Sequence, residues 1–141
     1  MNAKLNSPSL LITDDDSAFR ETLRDVFEDR GFRTLAAGDG EEALQIVGRE
    51  KVHLMLLDMH MPRLTGLETI RRIKQMNVVL PCILLSAGLN EVLAAEALQA
   101  NAYSVLSKPV RFAEVTRLVN RALWQIYGWS SQESPSPDAD S

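Results

Sequence analysis

Short apolar runs alternate with amphipathic segments along this chain. Each run is typical of a strand buried on both faces, and each segment that follows repeats its apolar residues at helical spacing. The pattern predicts strands over residues 9–13, 32–37, 52–57, 81–85 and 103–106, and helices over residues 17–30, 40–47, 65–76, 90–100 and 111–127. Five strands that alternate with five helices indicate an α/β domain, with a parallel sheet covered on both faces and joined by right-handed crossovers.

Residues that begin and end helices support these boundaries. Asp16 or Ser17 can cap the first helix, because side-chain oxygens accept hydrogen bonds from the free N–H groups there. Gly31 follows the first helix, and Gly48 is predicted to end the second. The last helix has a wide apolar face, on which we expect Trp124 to pack.

Length and charge limit the classes of protein that this chain can be. A chain of 141 residues, 45% apolar and 24% charged, fits one globular domain. The net charge is −4, and residues 130–141 hold three acids and no base, which leaves −1 for the remainder. A nearly neutral body lacks the clustered basic residues that grip phosphates, so we expect no direct nucleic acid binding.

The composition also predicts where the protein works and how the chain divides. The single cysteine, Cys82, cannot form an internal disulfide and is expected to pack as a small hydrophobe. The sequence has neither a secretory signal nor an apolar stretch that could cross a membrane, which favours the cytoplasm. Residues 1–8 form a lead-in, residues 9–127 the domain, and residues 128–141 a disordered acidic tail rich in Ser and Pro.

Polar residues follow four of the predicted strands at the point where each one ends. Asp14 and Asp15 follow the first strand, Asp58 the third, Ser86 the fourth and Lys108 the fifth. Ligands bind at the carboxyl ends of strands in open α/β sheets, so these side chains are candidates for one site. Two carboxylates 4 Å apart repel by about 4 kcal/mol at an effective dielectric of 20, so the site needs a cation. Oxygen ligands favour Mg²⁺.

These residues occur in an ordered set of short motifs. The motifs are residues 11–16 (LITDDD), residues 58–62 (DMHMP) with Gly66 after them, residues 86–87 (SA) and residues 108–109 (KP). Together they resemble the receiver domain of two-component response regulators, over residues 9–127. The resemblance implies a flavodoxin-like, doubly wound (βα)5 fold with a five-stranded parallel sheet of order 2-1-3-4-5.

The resemblance also implies a function. It implies that Asp58 accepts a phosphoryl group from a phosphohistidine donor, a sensor histidine kinase or a histidine phosphotransfer protein, with Mg²⁺ as cofactor. The metal ligands would be Asp15, Asp58 and the backbone carbonyl of His60, with Asp14 acting through water; Ser86, Ala87 and Lys108 would bind the phosphoryl oxygens. The domain would assist its own phosphorylation and dephosphorylation without being an enzyme for a separate substrate.

Only the predicted tail follows the fifth helix, so we expect a stand-alone receiver, which has to act through a partner. The resemblance implies that the partner binds a face formed by the fourth helix, the fifth strand and the fifth helix, and a homodimer formed on phosphorylation is an open alternative. The chain departs from the family at Val105, where many receivers carry an aromatic switch residue. Tyr103 is expected on the same strand face, two residues earlier, but that role is not transferred to it.

Two other functions stay open at this point. The first is a pseudo-receiver, an interaction module that is not phosphorylated and whose acidic edge is vestigial. The second is a metal-dependent phosphatase with an aspartate nucleophile, which would need a substrate pocket or cap. The set of residues at the strand ends argues against the pseudo-receiver, and the lack of a cap insertion in 141 residues argues against the phosphatase.

Overall fold

The computed structural model describes residues 7–77 and 79–129. Its strands are β1 (Ser9–Thr13), β2 (Arg33–Ala37), β3 (Leu54–Asp58), β4 (Cys82–Ser86) and β5 (Ser104–Ser107). Its helices are α1 (Ser17–Glu28), α2 (Gly40–Arg49), α3 (Gly66–Met76), α4 (Glu91–Gln99) and α5 (Phe112–Tyr127). The strands form one parallel sheet of order β2-β1-β3-β4-β5, which confirms the predicted fold.

Two apolar cores lie on opposite faces of the sheet. Alternate residues of β3 divide between them: Met55 and Leu57 join the core under α2, α3 and α4, whereas Leu54 and Leu56 join the core under α1 and α5. All four side chains are completely buried. The interior positions of the central strands are all apolar because both of their faces are covered.

The register of the sheet brings the candidate site residues to one edge. Thr13 pairs with Leu57 across β1 and β3, and Asp58 pairs with Leu85 across β3 and β4. The chain reverses its direction of winding between β1 and β3, because β2 lies on one side of β1 and β3 on the other. The residues after these strands therefore lie at the topological switch point, where α/β sheets bind ligands.

Two predictions about the helices are wrong. Gly48 does not end α2, because the helix runs to Arg49 and the N–H of Glu50 still donates to the carbonyl of Ile46. Trp124 is 61% exposed instead of packed. At 100° per residue, Trp124 lies on the same side of α5 as Arg117, opposite the buried stripe.

A cluster of aromatic side chains ties the end of α5 to the edge of the sheet opposite the candidate site. The ring of Trp129 stacks on Tyr127 with centroids 4.9 Å apart and meets His53 edge to face at 4.6 Å. The Tyr127 hydroxyl donates to the carbonyl of His53 at 2.8 Å. His53 is half-buried, and its Nδ1 accepts a hydrogen bond from the backbone N–H of Ser9 at 3.0 Å. The cluster is therefore structural.

Two further expectations concern the remainder of the chain. Cys82 is buried, as predicted, and burial raises the pKa of its thiol to about 12. Within residues 7–77 and 79–129, no helix has the length and apolar character needed to cross a membrane. The predicted lead-in before residue 7 and the predicted tail from residue 130 onward lie outside the described residues.

Substitution by alanine is expected to have opposite effects on stability at Gly66 and at Gly48. A Cβ at Gly66 would lie 2.7 Å from Leu84 Cδ1 and 2.9 Å from Met59 Cα, and it would also overlap the carbonyl of Asp58. A Cβ at Gly48 meets only Met76 Cε, at an ordinary 3.6 Å. We expect Gly66→Ala to lower the free energy of unfolding by about 1–3 kcal/mol through overpacking. Gly48→Ala should raise it by up to about 1 kcal/mol through helix propensity.

Urea denaturation of the two variants and the unmodified protein measures both effects. Gly48→Ala is the matched control, because it adds the same methyl group without the steric overlap. A Gly66→Ala protein as stable as the unmodified chain would contradict the packing described for the loop after β3.

The environment of His53 predicts a loss of stability in acid. Burial above all, and then the charges of Lys51 and Arg33, lower the pKa of His53. The unfolded chain therefore binds this proton more readily, so the stabilisation is present above the ordinary pKa of 6.5 and is lost as the pH falls through the lower folded value. Protonation removes the acceptor of the Ser9 N–H, a hydrogen bond worth about 1 kcal/mol.

Unfolding free energies at pH 7.5 and pH 5 measure this dependence. We expect His53→Gln to show a smaller loss between the two pH values than the unmodified protein. His60→Gln, which changes the other histidine of the chain, is the control and should keep the unmodified dependence. Equal dependence in all three proteins would show that His53 does not contribute.

Candidate functional site

Three carboxylates meet at the carboxyl edge of the sheet. One oxygen from each of Asp14, Asp15 and Asp58 lies within 4.8 Å of the others. Asp14 and Asp58 are buried, whereas Asp15 is exposed. The structure therefore brings together the three acids that the strand ends predict.

Backbone contacts fix the loop that carries Asp14. Its N–H donates to the carbonyl of Ala37 at 3.1 Å, and its Oδ1 accepts from the N–H of Asp16 at 2.9 Å. Arg20 donates from Nη1 to the carbonyl of Asp14 at 2.7 Å, a contact that the sequence analysis did not anticipate. Asp16 itself caps α1, as predicted, by accepting from the N–H of Phe19 at 3.2 Å. The loop between β1 and α1 is thus held by hydrogen bonds with β2 on one side and with α1 on the other.

Lys108 reaches into the acid cluster from the end of β5. Its Nζ lies 3.0 Å from Asp14 Oδ2 and 3.0 Å from Asp58 Oδ1, and its side chain is 22% exposed. Burial opposes the charge on Lys108, but the hydrogen bonds to Asp58 and Asp14, together with the charges of these two acids, outweigh burial and raise the pKa of the ammonium group. Lys108 therefore stays charged and joins two of the acids. The Lys108–Pro109 bond is cis.

Asp58 lies in an environment that disfavours its charge. Burial has the largest effect and raises the pKa of Asp58. The hydrogen bond from Lys108 lowers it, while the charges of Asp14 and Asp15 raise it again. The net shift is upward, so the hydrogen bond and the charge of Lys108 do not offset burial together with the two neighbouring carboxylates. A second cation at the cluster would favour the charged form of Asp58.

Phe19 lies beside the lysine on the first turn of α1. Lys108 Nζ lies over its ring, 4.5 Å from the centroid, within the range of a cation–π contact. Phe19 and Lys108 also line an open groove with Ala87 and Val110. The sequence analysis missed Phe19, because the period of α1 gives no signal that one ring faces a lysine far along the chain.

Ser86 lies at the end of β4, next to the strand that carries Asp58. It is fully buried, and its Oγ accepts a hydrogen bond from the N–H of Gly88 at 3.1 Å. His60 is exposed, and its Nε2 lies 3.5 Å from the same Oγ. Among the described residues, the Ser86 hydroxyl therefore contacts Gly88 and His60 and not the carboxylates. Its neighbour Ala87 is exposed at the wall of the groove.

Val105 and Tyr103 lie on different faces of the sheet, so the expectation that they share one face is wrong. Val105 packs against the core under α2, α3 and α4, whereas Tyr103 packs against the core under α1 and α5. The Tyr103 hydroxyl donates to Gln125 Oε1 on α5 at 2.5 Å. The alternation fails because Tyr103 precedes the first residue of β5, Ser104.

The donor set of the cluster fits a hard divalent cation. All three side chains offer carboxylate oxygens, which Mg²⁺ prefers, and no thiolate belongs to the group. A cation at the cluster would also favour the charged form of Asp58, whose pKa is raised above all by burial. The cluster therefore has the chemistry of a magnesium site.

Taken together, the site presents a carboxylate beside a fixed ammonium group and two further acids. A carboxylate oxygen can act as a nucleophile, and cations next to it can neutralise the oxygens of an incoming phosphoryl group. The same edge carries the buried hydroxyl of Ser86 and the exposed residue Ala87. The arrangement suits the transfer of a phosphoryl group to a side chain.

Comparison with known proteins agrees with this geometry. Residues 10–120 match the family model described as the response regulator receiver domain. The chain is 35% identical over 114 residues to the response regulator MprA of Mycobacterium leprae, covering 81% of this chain and 50% of that protein. It is 32% identical over 124 residues to the transcriptional regulatory protein CpxR of Escherichia coli, covering 88% and 52%. The chain thus spans about half the length of these curated relatives.

A solved structure gives the same result for the fold. The chain superposes on a response regulator receiver protein from Pseudomonas putida with a TM-score of 0.78 and 29% identity, covering 82% of this chain and 97% of that one. Fold, family model and relatives agree over nearly all of the described residues. The chain therefore belongs to the response regulator receiver domain family of two-component signal transduction.

Proposed function

We propose that this domain is phosphorylated on Asp58 and that phosphorylation controls a partner protein. The observation that carries the proposal is the position of the Asp58 carboxylate, 3.0 Å from the Lys108 ammonium and clustered with Asp14 and Asp15. The Lys108 ammonium orients this carboxylate, and the neighbouring acids supply ligands for a metal ion. Both conditions are what phosphoryl transfer requires of a protein.

In the proposed step, an oxygen of Asp58 attacks the phosphorus of a phosphohistidine donor. A new O–P bond forms, the N–P bond of the donor breaks, and the electron pair of that bond leaves with the imidazole. Lys108 keeps its proton throughout and neutralises one of the phosphoryl oxygens. The Ser86 hydroxyl and the backbone N–H of Ala87 would donate to the other oxygens, which their places at the end of β4 support.

The residues that would hold Mg²⁺ are Asp15, Asp58 and the backbone carbonyl of His60, with Asp14 acting through water. When it is bound, the metal supplies positive charge to the transferring phosphoryl oxygens and to the acid cluster. Arg20 and the backbone of Ala37 hold the Asp14 loop in place meanwhile. The donor set described above supports this assignment.

The domain would catalyse only its own modification. Hydrolysis of the aspartyl phosphate would reset the signal, with the same residues holding the phosphoryl group. The groove beside Lys108 is open and mostly lined by apolar side chains, which gives no support to a phosphatase that binds a separate small substrate. The donor would be a sensor histidine kinase or a histidine phosphotransfer protein in the cytoplasm.

The downstream partner would bind the face formed by α4, β5 and α5. Two apolar side chains of α4 support this choice, since Val92 is 67% exposed and Leu98 is 73% exposed. Exposed apolar residues are common on binding surfaces. Phosphorylation would shift an existing equilibrium between two conformations of this face. A homodimer through the same face is the alternative use of these side chains.

Asp58→Asn tests the acceptor directly. We expect the unmodified protein, incubated with acetyl phosphate and Mg²⁺, to gain a single phosphate of about 80 Da, because its carboxylate displaces acetate from phosphorus. The gain should be absent in Asp58→Asn and absent when EDTA removes the metal. Intact-mass spectrometry measures all three reactions.

Asp16→Asn is the matched control, because it makes the same change in the neighbouring loop while an asparagine still caps α1. This variant should be phosphorylated like the unmodified protein. A phosphate gain that persists in Asp58→Asn would refute Asp58 as the acceptor. No gain in folded, Mg²⁺-binding protein would favour the pseudo-receiver, and turnover of small phosphoesters would favour the phosphatase.

Asp15→Asn tests the metal ligands. We expect it to weaken Mg²⁺ binding roughly tenfold or more, because it removes a charged oxygen ligand from the cluster. Titration calorimetry with Mg²⁺ measures the affinity, and Asp16→Asn again serves as the control. Unchanged affinity in Asp15→Asn would exclude this carboxylate from the metal site.

A further inference from the structure

We propose that Phe19 is a positioning residue for Lys108, and that its ring holds the ammonium group at the site while the charge on Asp58 is transferred to the phosphoryl group. The inference rests on the proposed phosphorylation of Asp58. It assigns Phe19 an electrostatic role in the chemistry of the site, separate from any contact with a kinase.

The contacts of Lys108 Nζ leave one side for the ring. An ammonium group has three N–H donors. Two directions are taken by Asp14 Oδ2 and Asp58 Oδ1, each at 3.0 Å. The Phe19 centroid lies 4.5 Å from the same nitrogen. The negative face of an aromatic ring attracts a cation at this distance, more strongly where water is excluded. Lys108 is only 22% exposed.

Phosphoryl transfer changes one of these three contacts and leaves the other two. When an oxygen of Asp58 bonds to phosphorus, the carboxylate becomes an acyl phosphate and its own negative charge is lost. Lys108 then has to bind a phosphoryl oxygen, so its contact with Asp58 changes during the reaction. The ring of Phe19 and the carboxylate of Asp14 do not react, so they can hold the ammonium group in place throughout.

The position of Phe19 suits this role because its backbone is fixed next to the acid loop. Its N–H donates to Asp16 Oδ1 at 3.2 Å, which fixes the first turn of α1 directly after the loop that carries Asp14 and Asp15. Its side chain is half-buried and packs against the core under α1 and α5. A ring held in this way loses little rotamer freedom when it binds a cation.

Two kinds of substitution separate the ring's electrostatics from its bulk. Phe19→Leu removes the aromatic face and keeps an apolar side chain, whereas Phe19→Tyr keeps the face. Acetyl phosphate is the donor in every reaction, so docking of a kinase on α1 does not enter the result. We expect Phe19→Leu to slow phosphorylation of Asp58 about three- to tenfold, and Phe19→Tyr to react at close to the unmodified rate.

A double-mutant cycle with Lys108→Met tests whether the effect passes through the lysine. In the Lys108→Met background, Phe19→Leu should cause no further slowing. Phe32→Leu is the matched control, because Phe32 is also half-buried against the same core but lies at the other end of α1. It should react at the unmodified rate. Should Phe19→Leu fail to fold, Phe19→Met replaces it in the cycle.

NMR of the Lys108 side chain gives a readout that needs no phosphorylation. Its Hε resonance should lie upfield of the usual lysine position because of the Phe19 ring current, and it should return to that position in Phe19→Leu. Absence of the upfield shift, or equal slowing by Phe19→Leu in both lysine backgrounds, would overturn the inference while Asp58 still accepts phosphate. If the unmodified protein accepts no phosphate, the proposed function fails and this role of Phe19 fails with it.

Discussion

Three carboxylates held within 4.8 Å of one another at the end of a sheet repel, and the rest of the structure has to keep them there. A pair of them at about 4 Å costs roughly 4 kcal/mol at an effective dielectric of 20. Lys108 offsets part of this repulsion by contacting Asp14 and Asp58 at 3.0 Å each. Burial above all, and then the charges of Asp14 and Asp15, nevertheless raise the pKa of Asp58, and a further cation at the cluster would favour its charged form. The proposed chemistry of the site depends on this balance of charges.

The fold can hold such a cluster because the supporting strands are rigid. β1 and β3 are buried on both faces, and apolar side chains from two separate cores fix them. Backbone hydrogen bonds then hold the loops: Asp14 donates to Ala37, and Met59 donates to Leu85. Gly66 lets α3 begin directly against the loop after Asp58. Well-packed strands stabilise the protein, so repelling groups at their ends can be kept for function.

Several features were predictable from local patterns in the chain. The number, order and type of all ten elements follow from hydrophobic periodicity, with boundaries that shift by one or two residues. The ends of helices were harder to predict: Gly48 was expected to end α2, but it lies inside the helix. Trp124 illustrates a second limit. It is apolar, but its angle around α5 places it opposite the buried stripe and leaves it exposed. Tyr103 illustrates a third, because alternation holds only within a strand that is already formed.

The sequence by itself determined which residues stand at the strand ends, because strand periodicity and residue type are local properties. It therefore predicted the clustering of Asp14, Asp15 and Asp58 and the sheet order that the motifs imply. Only the tertiary structure decided which groups touch. Lys108 follows Asp14 by 94 positions, and its contacts with that acid and with Phe19 exist only once the folded sheet brings the end of β5 to the edge where β1 leads into α1. Distances between side chains that are remote in the chain depend on packing, which no local pattern encodes.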